Sequence, residues 1–566
     1  MERAPRRAFL RGLGALGIVG LAGCGGDGDG DTATPTDSAT ATDTATSTTT
    51  DATATTAPPG TTASSATPTD SATATDTATS TATTPTVPPE ERPPSVTPAG
   101  TIGGPPGDAT VLFGEGIDGL EKWESSGGGE AGWTVADDGG YFEIDPGAGG
   151  IQTADPIGDC HLHIEFKPPE DPAGTGQSWG NSGVFMMGQY EIQVLNNYEN
   201  DTYTDGLAGA HYGQAPPMVD PARPPSEWQS FDVVWRGPNF EGDEVVDPAR
   251  TLTFFNGVLV HAHLNLKGST TGSQPSPYSP HAEALPMSLQ DHSYVVGFRN
   301  VWYRPLPPEE EVETGTGDQY RTGYDGEYRD TYGGEPVYTL EPRGGRFEDG
   351  GSVDTVRPED AWGDPPSHAT VLLGEDGSQD GWESADGGSP GWTEADGYVA
   401  VEPGAGDIQS TETFGDCRLH AEFRIPEDVS GVGADRGNSG VLLDNRYELQ
   451  VLDNHENVAE PTEWVGAYTG QAPPMASPTR PPGEWQALDV LWEGPRFGGG
   501  GNTLARPGRL TALLNGVVVQ KRLYLNGPNA GGSVSAYEGH DPDQPLGLQE
   551  NGDPVHFRNV WYTPVE

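Results

Sequence analysis

The stretch YEIQVLNNYEN, residues 190–200, indicates the fold most directly, and it recurs as YELQVLDNHEN at residues 447–457. In an extended strand, successive side chains point to opposite faces. Glu191 and Gln193 therefore share one face, and their apolar neighbours share the other. The alternation predicts a β-strand with one face in a core and one polar face that is available for a ligand.

The segments around this strand are of the same kind. HLHIEFK, FDVVWRG, TLTFFNGVLVHAHL and FRNVWYRPL are short apolar or alternating runs, separated by Gly, Pro and Asn turns. Asn256-Gly257 and Asn515-Gly516 favour tight hairpin turns. No stretch shows sustained helical periodicity, so the sequence predicts an all-β fold of jelly-roll sandwiches, each with a concave sheet face for a ligand.

Two copies of one domain make up most of the chain. GNSGV, GQAPPM, EWQ and FRNVWY occur in the same order in both halves, at a nearly constant offset. A period of about one domain length indicates a tandem duplication rather than a solenoid. We place the two domains at 108–306 and 367–566, joined by an acidic linker rich in Gly and Tyr at 307–366.

The N-terminal region has the pattern of an export signal followed by a stalk. Residues 1–24 contain Arg6-Arg7, an apolar run too short to span a bilayer, and LAGC ending at Cys24. This pattern predicts twin-arginine export and a lipid on Cys24 that anchors the chain to the outer face of the cell membrane. Residues 25–107, rich in Thr, Ala, Ser, Asp and Pro, predict a disordered stalk.

The charge of the chain restricts its partners. Its 85 acidic and 29 basic residues give a formal net charge of −56, which disfavours nucleic acid as a partner. A surface this acidic stays soluble at molar salt, where charges are screened within about 3 Å. We therefore expect a protein of a halophilic organism.

Two cysteines remain besides Cys24. Cys160 and Cys417 occupy the same place in the two copies, within GDCHLHIEF and GDCRLHAEF. They are therefore interpreted as buried thiols in strands, with a disulfide between the two domains as the alternative.

The ordered series GNSGVF, YEIQVL, HYGQAPPM, RPPSEWQSFDVVW, LQDH and FRNVWYRPL resembles the 3-keto-disaccharide hydrolase family. The resemblance covers nearly all of both copies and implies a concanavalin A-like sandwich. It also implies chemistry on sugars oxidised to a ketone at C3, which acidifies the C2 hydrogen. A base then removes that hydrogen, the glycosidic oxygen leaves from C1, and water adds.

Glu191 is the first candidate for the acid or base of this reaction, with Gln193 as a substrate hydrogen-bonding group beside it. Glu448 is the counterpart of Glu191 in the second copy. The alternative for Glu191 is a structural ion pair, for instance with Arg299.

His261 and His292 match family positions, and either side chain could carry a proton near neutral pH. A lone histidine is more often structural, which is the alternative for each of them. The second copy has Gln520 and Asn551 at these positions. If the histidines perform the chemistry, the second domain is a degenerate or binding copy, whereas if Glu191 and its counterpart perform it, both domains are active.

Further polar and aromatic residues of the shared motifs suit a sugar groove, because aromatic faces stack on sugar rings and polar side chains bind hydroxyl groups. In the first copy they are Tyr212, Gln214, Arg223, Trp228 and Arg299, and in the second copy Gln450, Gln471, Arg480, Trp485 and Arg558.

Two questions stay open at the level of sequence. Acidic loops such as DNHEN supply oxygen ligands that suit calcium, so a calcium cofactor is possible. The enzyme hypothesis, a hydrolase or lyase acting on 3-keto-glycosides, also has an alternative. Since the same fold serves lectins, the chain could be a non-catalytic carbohydrate-binding or cell-surface protein.

Overall fold

The computed structural model describes residues 103–307 and 363–565, apart from 115, 118, 171–173, 273, 375, 458, 499–502 and 530–531. It also describes the isolated positions 93, 96–98, 331–332, 335–336, 353 and 356. The predicted signal peptide, almost all of the predicted stalk and most of the linker lie outside the described residues. Within the described part, the elements are strands and short 3-10 helices, and none of these helices is long and apolar enough to cross a membrane.

The first sandwich contains β1 to β17 and two 3-10 helices, at Gly176–Ser178 and Thr204–Gly206. The strands are β1 (Thr110–Phe113), β2 (Trp123–Ser125), β3 (Thr134–Val135), β4 (Phe142–Glu143), β5 (Ile151–Thr153), β6 (Cys160–Lys167), β7 (Ser182–Met186), β8 (Tyr190–Val194), β9 (Gln229–Arg236), β10 (Asn239–Glu241), β11 (Glu244–Asp247), β12 (Arg250–Phe255), β13 (Val258–Asn265), β14 (Ser269–Thr271), β15 (Gln274–Ser276), β16 (Ser288–Leu289) and β17 (Gly297–Pro305).

These strands form two main sheets that enclose a core. The larger sheet has the order β13-β12-β9-β6-β17-β4-β3, with β1 also paired to β17, and the smaller sheet has the order β2-β5-β16-β7-β8. Alternate residues of the strands, such as Ile164, Phe166, Val184 and Ile192, fill the space between the sheets and are fully buried. The alternation of apolar and polar residues along each strand therefore matches the alternation of side chains between the core and the outer face of the sheet.

The linker and the second sandwich supply the remaining strands. They are β18 (Thr331–Tyr332), β19 (Glu335–Pro336), β20 (Thr370–Leu373), β21 (Trp382–Ser384), β22 (Thr393–Ala395), β23 (Tyr398–Ala400), β24 (Ile408–Phe414), β25 (Cys417–Arg424), β26 (Ser439–Leu443), β27 (Tyr447–Val451), β28 (Trp485–Glu493), β29 (Arg496–Gly498), β30 (Thr503–Arg506), β31 (Arg509–Leu514), β32 (Val517–Tyr524), β33 (Gln544–Leu548) and β34 (His556–Pro564). Two 3-10 helices lie at Gly433–Asp435 and Pro461–Glu463.

The second sandwich repeats the topology of the first. Its larger sheet has the order β22-β23-β34-β25-β28-β31-β32, with β20 paired to β34, and its smaller sheet has the order β21-β24-β33-β26-β27. The predicted fold class, two all-β sandwiches in tandem, is confirmed. Cys160 and Cys417 are free thiols buried in the cores of separate sandwiches, as the first interpretation of the cysteines expected.

The two sandwiches contact each other through the outer faces of their larger sheets. The shared apolar cluster contains Val234, Leu252, Phe254, Leu259, Ala262 and Leu306 from the first domain and Leu491, Leu513 and Val518 from the second. Lys521 Nζ donates to the Pro307 carbonyl at 2.8 Å, and Arg418 donates to the Gly257 carbonyl. Because the larger sheets meet in the middle, the two smaller sheets lie on the outer sides of the pair.

Candidate functional site

The outer face of the smaller sheet of the first domain carries a row of cross-strand partners. Strand pairing aligns, from β2 to β8, Glu124, Gln152, Ser288, Phe185 and Glu191. The neighbouring row places Gly183 opposite Gln193. We call this surface the polar face. The opposite side of the same strands faces the core, as the alternation in YEIQV predicts.

Glu191 is the buried carboxyl group of the polar face. It is only 5% exposed, and burial raises its pKa to about 8. A Cβ at position 183 would lie 2.7 Å from Glu191 Oε1, so Gly183 leaves the space that this carboxyl group occupies. At pH 7 most Glu191 side chains are protonated, and a modest rise in pH converts them to a base.

Gln193 links Glu191 to a neighbouring loop. One end of its amide lies 3.3 Å from Glu191 Oε1, and the other end lies 2.7 Å from Gln177 Oε1. The ion pair with Arg299, the example given for a structural role of Glu191, does not form, because Arg299 Nε donates to Glu165 Oε2 at 2.6 Å instead. Glu191 and Gln193 therefore lie together on the polar face.

The segment that contains Tyr203 and Tyr212 extends the smaller sheet beyond its edge strand, β8. The backbone N–H of Tyr212 donates to the Glu191 carbonyl at 3.3 Å, and that of Gln193 donates to the Ala210 carbonyl at 2.9 Å. This pairing places Tyr212 beside Glu191. The hydroxyl groups of Tyr203 and Tyr212 are 2.5 Å apart. Tyr203 was not among the residues that the sequence singled out.

The two candidate histidines lie in different places. His261 belongs to β13 of the larger sheet and is buried, with its ring 5.1 Å from that of His211. Its Nε2 donates to the Gly209 carbonyl at 2.8 Å, and burial lowers its pKa to about 4. His292 is exposed in the loop after β16 and stacks on Tyr294 at 6.1 Å. The structure therefore does not place His261 on the polar face with Glu191.

Gln214 and Arg223 belong to the loop that leads to β9. Gln214 is buried and holds another loop, because it donates to the Gly268 carbonyl at 3.0 Å and accepts from the Lys267 backbone at 2.9 Å. The Arg223 backbone donates to Gln229 Oε1 at 3.0 Å. These bonds fix the shape of the two loops.

Trp228 and Arg299 form a cluster on the larger sheet. The Arg299 guanidinium lies 4.1 Å from the Trp228 ring, and Lys167 Nζ lies 4.8 Å from the same ring. Glu165, the ion-pair partner of Arg299, alternates with the core residues of β6 and so faces outward. This cluster and the polar face are on opposite outer faces of the first domain, so the structure divides the predicted sugar-binding residues into two groups.

The second domain shows the same division. Glu448 is 3% exposed and burial raises its pKa to about 7, while Gln450 follows it on the same face of β27. Trp485 and Arg558 stack at 4.1 Å on the larger sheet, and Arg558 pairs with Glu422.

The loop residues of the second domain resemble their counterparts in the first. Gln471 donates to the Tyr524 carbonyl at 2.7 Å and accepts from the Asn526 backbone at 2.8 Å. Arg480 lies 3.9 Å from Glu484 at a partly exposed site. In both domains this glutamine therefore holds the loop that follows the edge strand of the larger sheet.

The arrangement of carboxyl groups limits the chemistry of the polar face. Glu124 and Glu191 are at opposite ends of their row, four strand spacings or about 19 Å apart. Ordinary glycosidases place two carboxyl groups about 5 to 10 Å apart across the scissile bond. The row does not provide two carboxyl groups at that separation. A reaction that needs only one proton-transfer group therefore fits the polar face better than ordinary glycoside hydrolysis does.

The DNHEN loop uses its oxygens within the protein. Asp453 accepts from the His455 backbone at 2.9 Å and pairs with Arg436 at 2.7 Å, and Asn454 accepts from the Val465 backbone at 2.6 Å. In the part of the chain that the structure describes, no group of three His, Cys, Asp or Glu side chains could hold a metal ion.

Comparison with known proteins identifies a family. The sequence profile of the 3-keto-alpha-glucoside-1,2-lyase-like domain matches the chain twice, at residues 108–304 and 368–563. No curated protein matches the chain.

Solved structures include more distant similarities. A candidate glycosyl hydrolase from Parabacteroides distasonis is 32% identical, with 41% of this chain and 99% of that chain covered and a TM-score of 0.36. A second one from the same organism is 20% identical, with 35% and 94% covered and a TM-score of 0.28. The alginate lyase Aly36B is 9% identical, with 36% and 98% covered and a TM-score of 0.21. None of these similarities is close enough to transfer an activity.

Proposed function

Because the chain belongs to the 3-keto-alpha-glucoside-1,2-lyase-like domain family, we propose that it cleaves glycosides whose sugar carries a ketone at C3. The observation that supports this proposal is the state of Glu191. It is a buried carboxyl group with a pKa of about 8, on a polar face and beside the hydrogen-bonding groups of Gln193 and Tyr212. A group that titrates near neutral pH suits proton transfer.

The proposed reaction is an elimination followed by hydration. The Glu191 carboxylate takes the C2 proton, and the electron pair of the C2–H bond forms an enolate with its charge on the C3 oxygen. The C1–O bond then breaks to give a C1=C2 double bond, and the leaving oxygen takes up a proton that Glu191 returns. Water adds across the double bond, which releases a free 3-keto sugar.

Gln193 and Tyr212 have the complementary role of stabilising the enolate. Their amide and hydroxyl groups are donors on the same side of the sheet as Glu191, and preorganised donors stabilise charge as it develops. This chemistry needs no second carboxylate near the scissile bond, in agreement with the separation of Glu124 and Glu191.

The test is turnover by the full chain in high salt with 3-keto-trehalose or 3-keto-lactose, followed by NMR detection of the released sugar. We expect Glu191→Gln to lower kcat by at least about 100-fold, since positioned acid-base groups contribute factors of this size. Glu143→Gln, on the larger sheet, is the control that keeps wild-type turnover.

Wild-type protein that binds these sugars but does not cleave them would contradict the proposal and support the carbohydrate-binding alternative. Full activity of Glu191→Gln would instead remove this residue from the reaction while leaving the activity in place.

We also propose that the chain is exported through its twin-arginine signal and anchored by a lipid on Cys24, where it works in a salty medium. The support is the sequence pattern of residues 1–24 and the net charge of −56. In fractionated cells of a halophilic host, Cys24→Ala is expected to move the protein from the membrane fraction to the medium. Unchanged membrane association would contradict the lipid anchor.

A further inference from the structure

A network of loop contacts borders Glu191 in the first domain. Gln177 Nε2 donates to Thr202 Oγ1 at 2.9 Å and to the Gly206 carbonyl at 2.7 Å, on either side of Tyr203 in sequence. Tyr203 in turn bonds Tyr212, with 2.5 Å between the hydroxyl oxygens. A Cβ at position 206 would lie 2.2 Å from the Tyr203 ring, so this ring position requires glycine there.

The network is joined to the strand that carries Glu191. Gln193 contacts Gln177 at 2.7 Å, and the Tyr212 backbone bonds the Glu191 carbonyl. Burial and the bond to Tyr212 raise the pKa of Tyr203, so its hydroxyl stays protonated and able to donate. The Tyr203 side chain is still 40% exposed, so a ligand on the polar face can reach it.

The second domain replaces every member of this network. The counterparts of Gln177, Thr202, Tyr203, Gly206 and Tyr212 are Ala434, Ala459, Glu460, Glu463 and Thr469. The alanines cannot make the two side-chain hydrogen bonds, and Glu463 has a Cβ where the first domain requires none. Glu448 and Gln450 are nevertheless retained. The loss therefore concerns one connected group of contacts and spares the strand.

The second domain also differs at the face that corresponds to the polar face of the first domain, because one additional side chain lies over it. Asn445 Nδ2 donates to Gln409 Oε1 at 2.7 Å, and its Oδ1 is 2.2 Å from where a Cβ on Gly547 would be. Gln409 and Gly547 lie in the row that leads to Glu448, as Gln152 and Ser288 do in the first domain. The first domain has Gly188 in place of Asn445, so no side chain covers the row at that position.

We propose that Tyr203 and Tyr212 form the sugar platform of the first domain and that only this domain turns substrate over. Within the pair, one hydroxyl donates to the other, and the remaining hydroxyl proton is available to an oxygen of a pyranose ring that lies against Tyr203. Gln177 is a positioning residue that holds the Tyr203 loop. This inference rests on the proposed function. It adds which domain is active and which side chains contact the pyranose ring of the substrate.

The experiment uses the full chain and a 3-keto-glycoside, with kcat and KM measured separately. Tyr203→Phe and Tyr212→Phe keep the rings and remove the paired hydroxyl groups, and we expect kcat/KM to fall at least about 10-fold in each. Gln177→Ala introduces the residue that the second domain has at this position. We expect it to raise KM with a smaller change in kcat, because Gln177 acts through the position of Tyr203. Glu460→Gln in the second domain is the matched control and keeps both constants.

A combined variant, Tyr203→Glu with Tyr212→Thr, gives the first domain the residues of the second. We expect turnover below about 5% of wild type, whereas two independent active domains would retain about half of it. Retention of half the rate, or wild-type kcat/KM in both phenylalanine variants, would overturn the inference and leave the proposed function standing. Absence of turnover by the wild type would overturn both, and thermal melts in the same buffer show whether each variant is folded.

Discussion

Glu191 owes its chemistry to its surroundings within the smaller sheet. Its pKa of about 8 comes from burial, which disfavours the charged carboxylate. Burial of a carboxyl group costs free energy, and the cost is larger for the charged form than for the protonated form. Such a residue is costly for stability, which is typical of a site retained for function.

The pH dependence of turnover follows from this pKa. If the Glu191 carboxylate removes the C2 proton, log(kcat/KM) rises with pH up to about 8 and then levels off. Initial rates between pH 5 and 10, in constant high salt, measure the profile. A profile that is flat between pH 6 and 9 would show that another group transfers the proton.

The same residue predicts a pH-dependent change in stability. The pKa of Glu191 is about 8 in the folded chain against an ordinary 4.5, so its contribution to stability is fully present below pH 4.5 and is lost as pH rises through 8. Glu191→Gln removes this loss. We therefore expect the free energy of unfolding of the variant, relative to wild type, to be about 2 to 4 kcal/mol higher at pH 9 than at pH 4. Denaturant titrations of wild type and variant at the two pH values measure these free energies. An equal effect of the substitution at both values would contradict the raised pKa of Glu191.

On the larger sheet, neighbouring strands carry a buried ion pair that both domains repeat. His163 Nδ1 on β6 lies 2.8 Å from Asp232 Oδ1 on β9, and His420 lies 3.0 Å from Asp489 in the second domain. Burial alone would lower the pKa of His163, but the Asp232 carboxylate outweighs it and raises the pKa to about 9. The pair therefore joins the two central strands through charge as well as backbone bonds.

Loss of this histidine is expected to destabilise the first sandwich in a pH-dependent way. Because the folded pKa of His163 is raised from 6.5 to about 9, its stabilisation is fully present below pH 6.5 and is lost as pH rises through 9. His163→Gln should cost about 2 to 3 kcal/mol at pH 6 and less at pH 10. Denaturant unfolding at both values checks this, with the exposed His292→Gln as control, and a larger cost at pH 10 would contradict it.

The smaller sheet shows what strand pairing adds to the alternation of single strands. Alternation within β8 places Glu191 and Gln193 on one face, but it does not say which residues of other strands join them. The pairing register brings in Phe185, Ser288 and Gln152, which no pattern in the sequence placed beside Glu191. Register depends on contacts between strands that are far apart in the chain.

At the scale of the whole molecule, the duplicated sandwiches form a pair with related contacts in both directions. The Val96 backbone, ahead of the first domain, donates to the Ser477 carbonyl at 3.2 Å. The Val356 backbone, ahead of the second domain, donates to the Asp220 carbonyl at 3.1 Å. Each domain is thus held by the segment that precedes the other, and the two polar faces point away from the shared interface.

This pairing predicts coupled unfolding of the domains. Phe254 is 3% exposed and belongs to the apolar cluster between them, so Phe254→Ser should cost about 3 kcal/mol and weaken the coupling. Scanning calorimetry is expected to show one transition for the wild type and two for the variant. Val245→Ser, at a residue 36% exposed, is the control that keeps one transition. Two transitions in the wild type would contradict the coupling.

Local patterns in the sequence determined the all-β class, the duplication, the buried thiols and the shared face of Glu191 and Gln193. These features depend on side-chain alternation and on repeated motifs, which act over a few residues or can be read by comparing two stretches. The same patterns grouped Trp228, Arg299 and His261 with Glu191, because motifs that occur in order do not reveal which face of which sheet each one occupies.

Only the tertiary structure decided the membership of the site. It placed Trp228 and Arg299 on the larger sheet, buried His261 beside His211, and brought Gln177 and Tyr203 to Glu191 from two loops. The physical reason is that loop positions follow from sheet register and from contacts such as that between Gly206 and the Tyr203 ring, which no local pattern encodes.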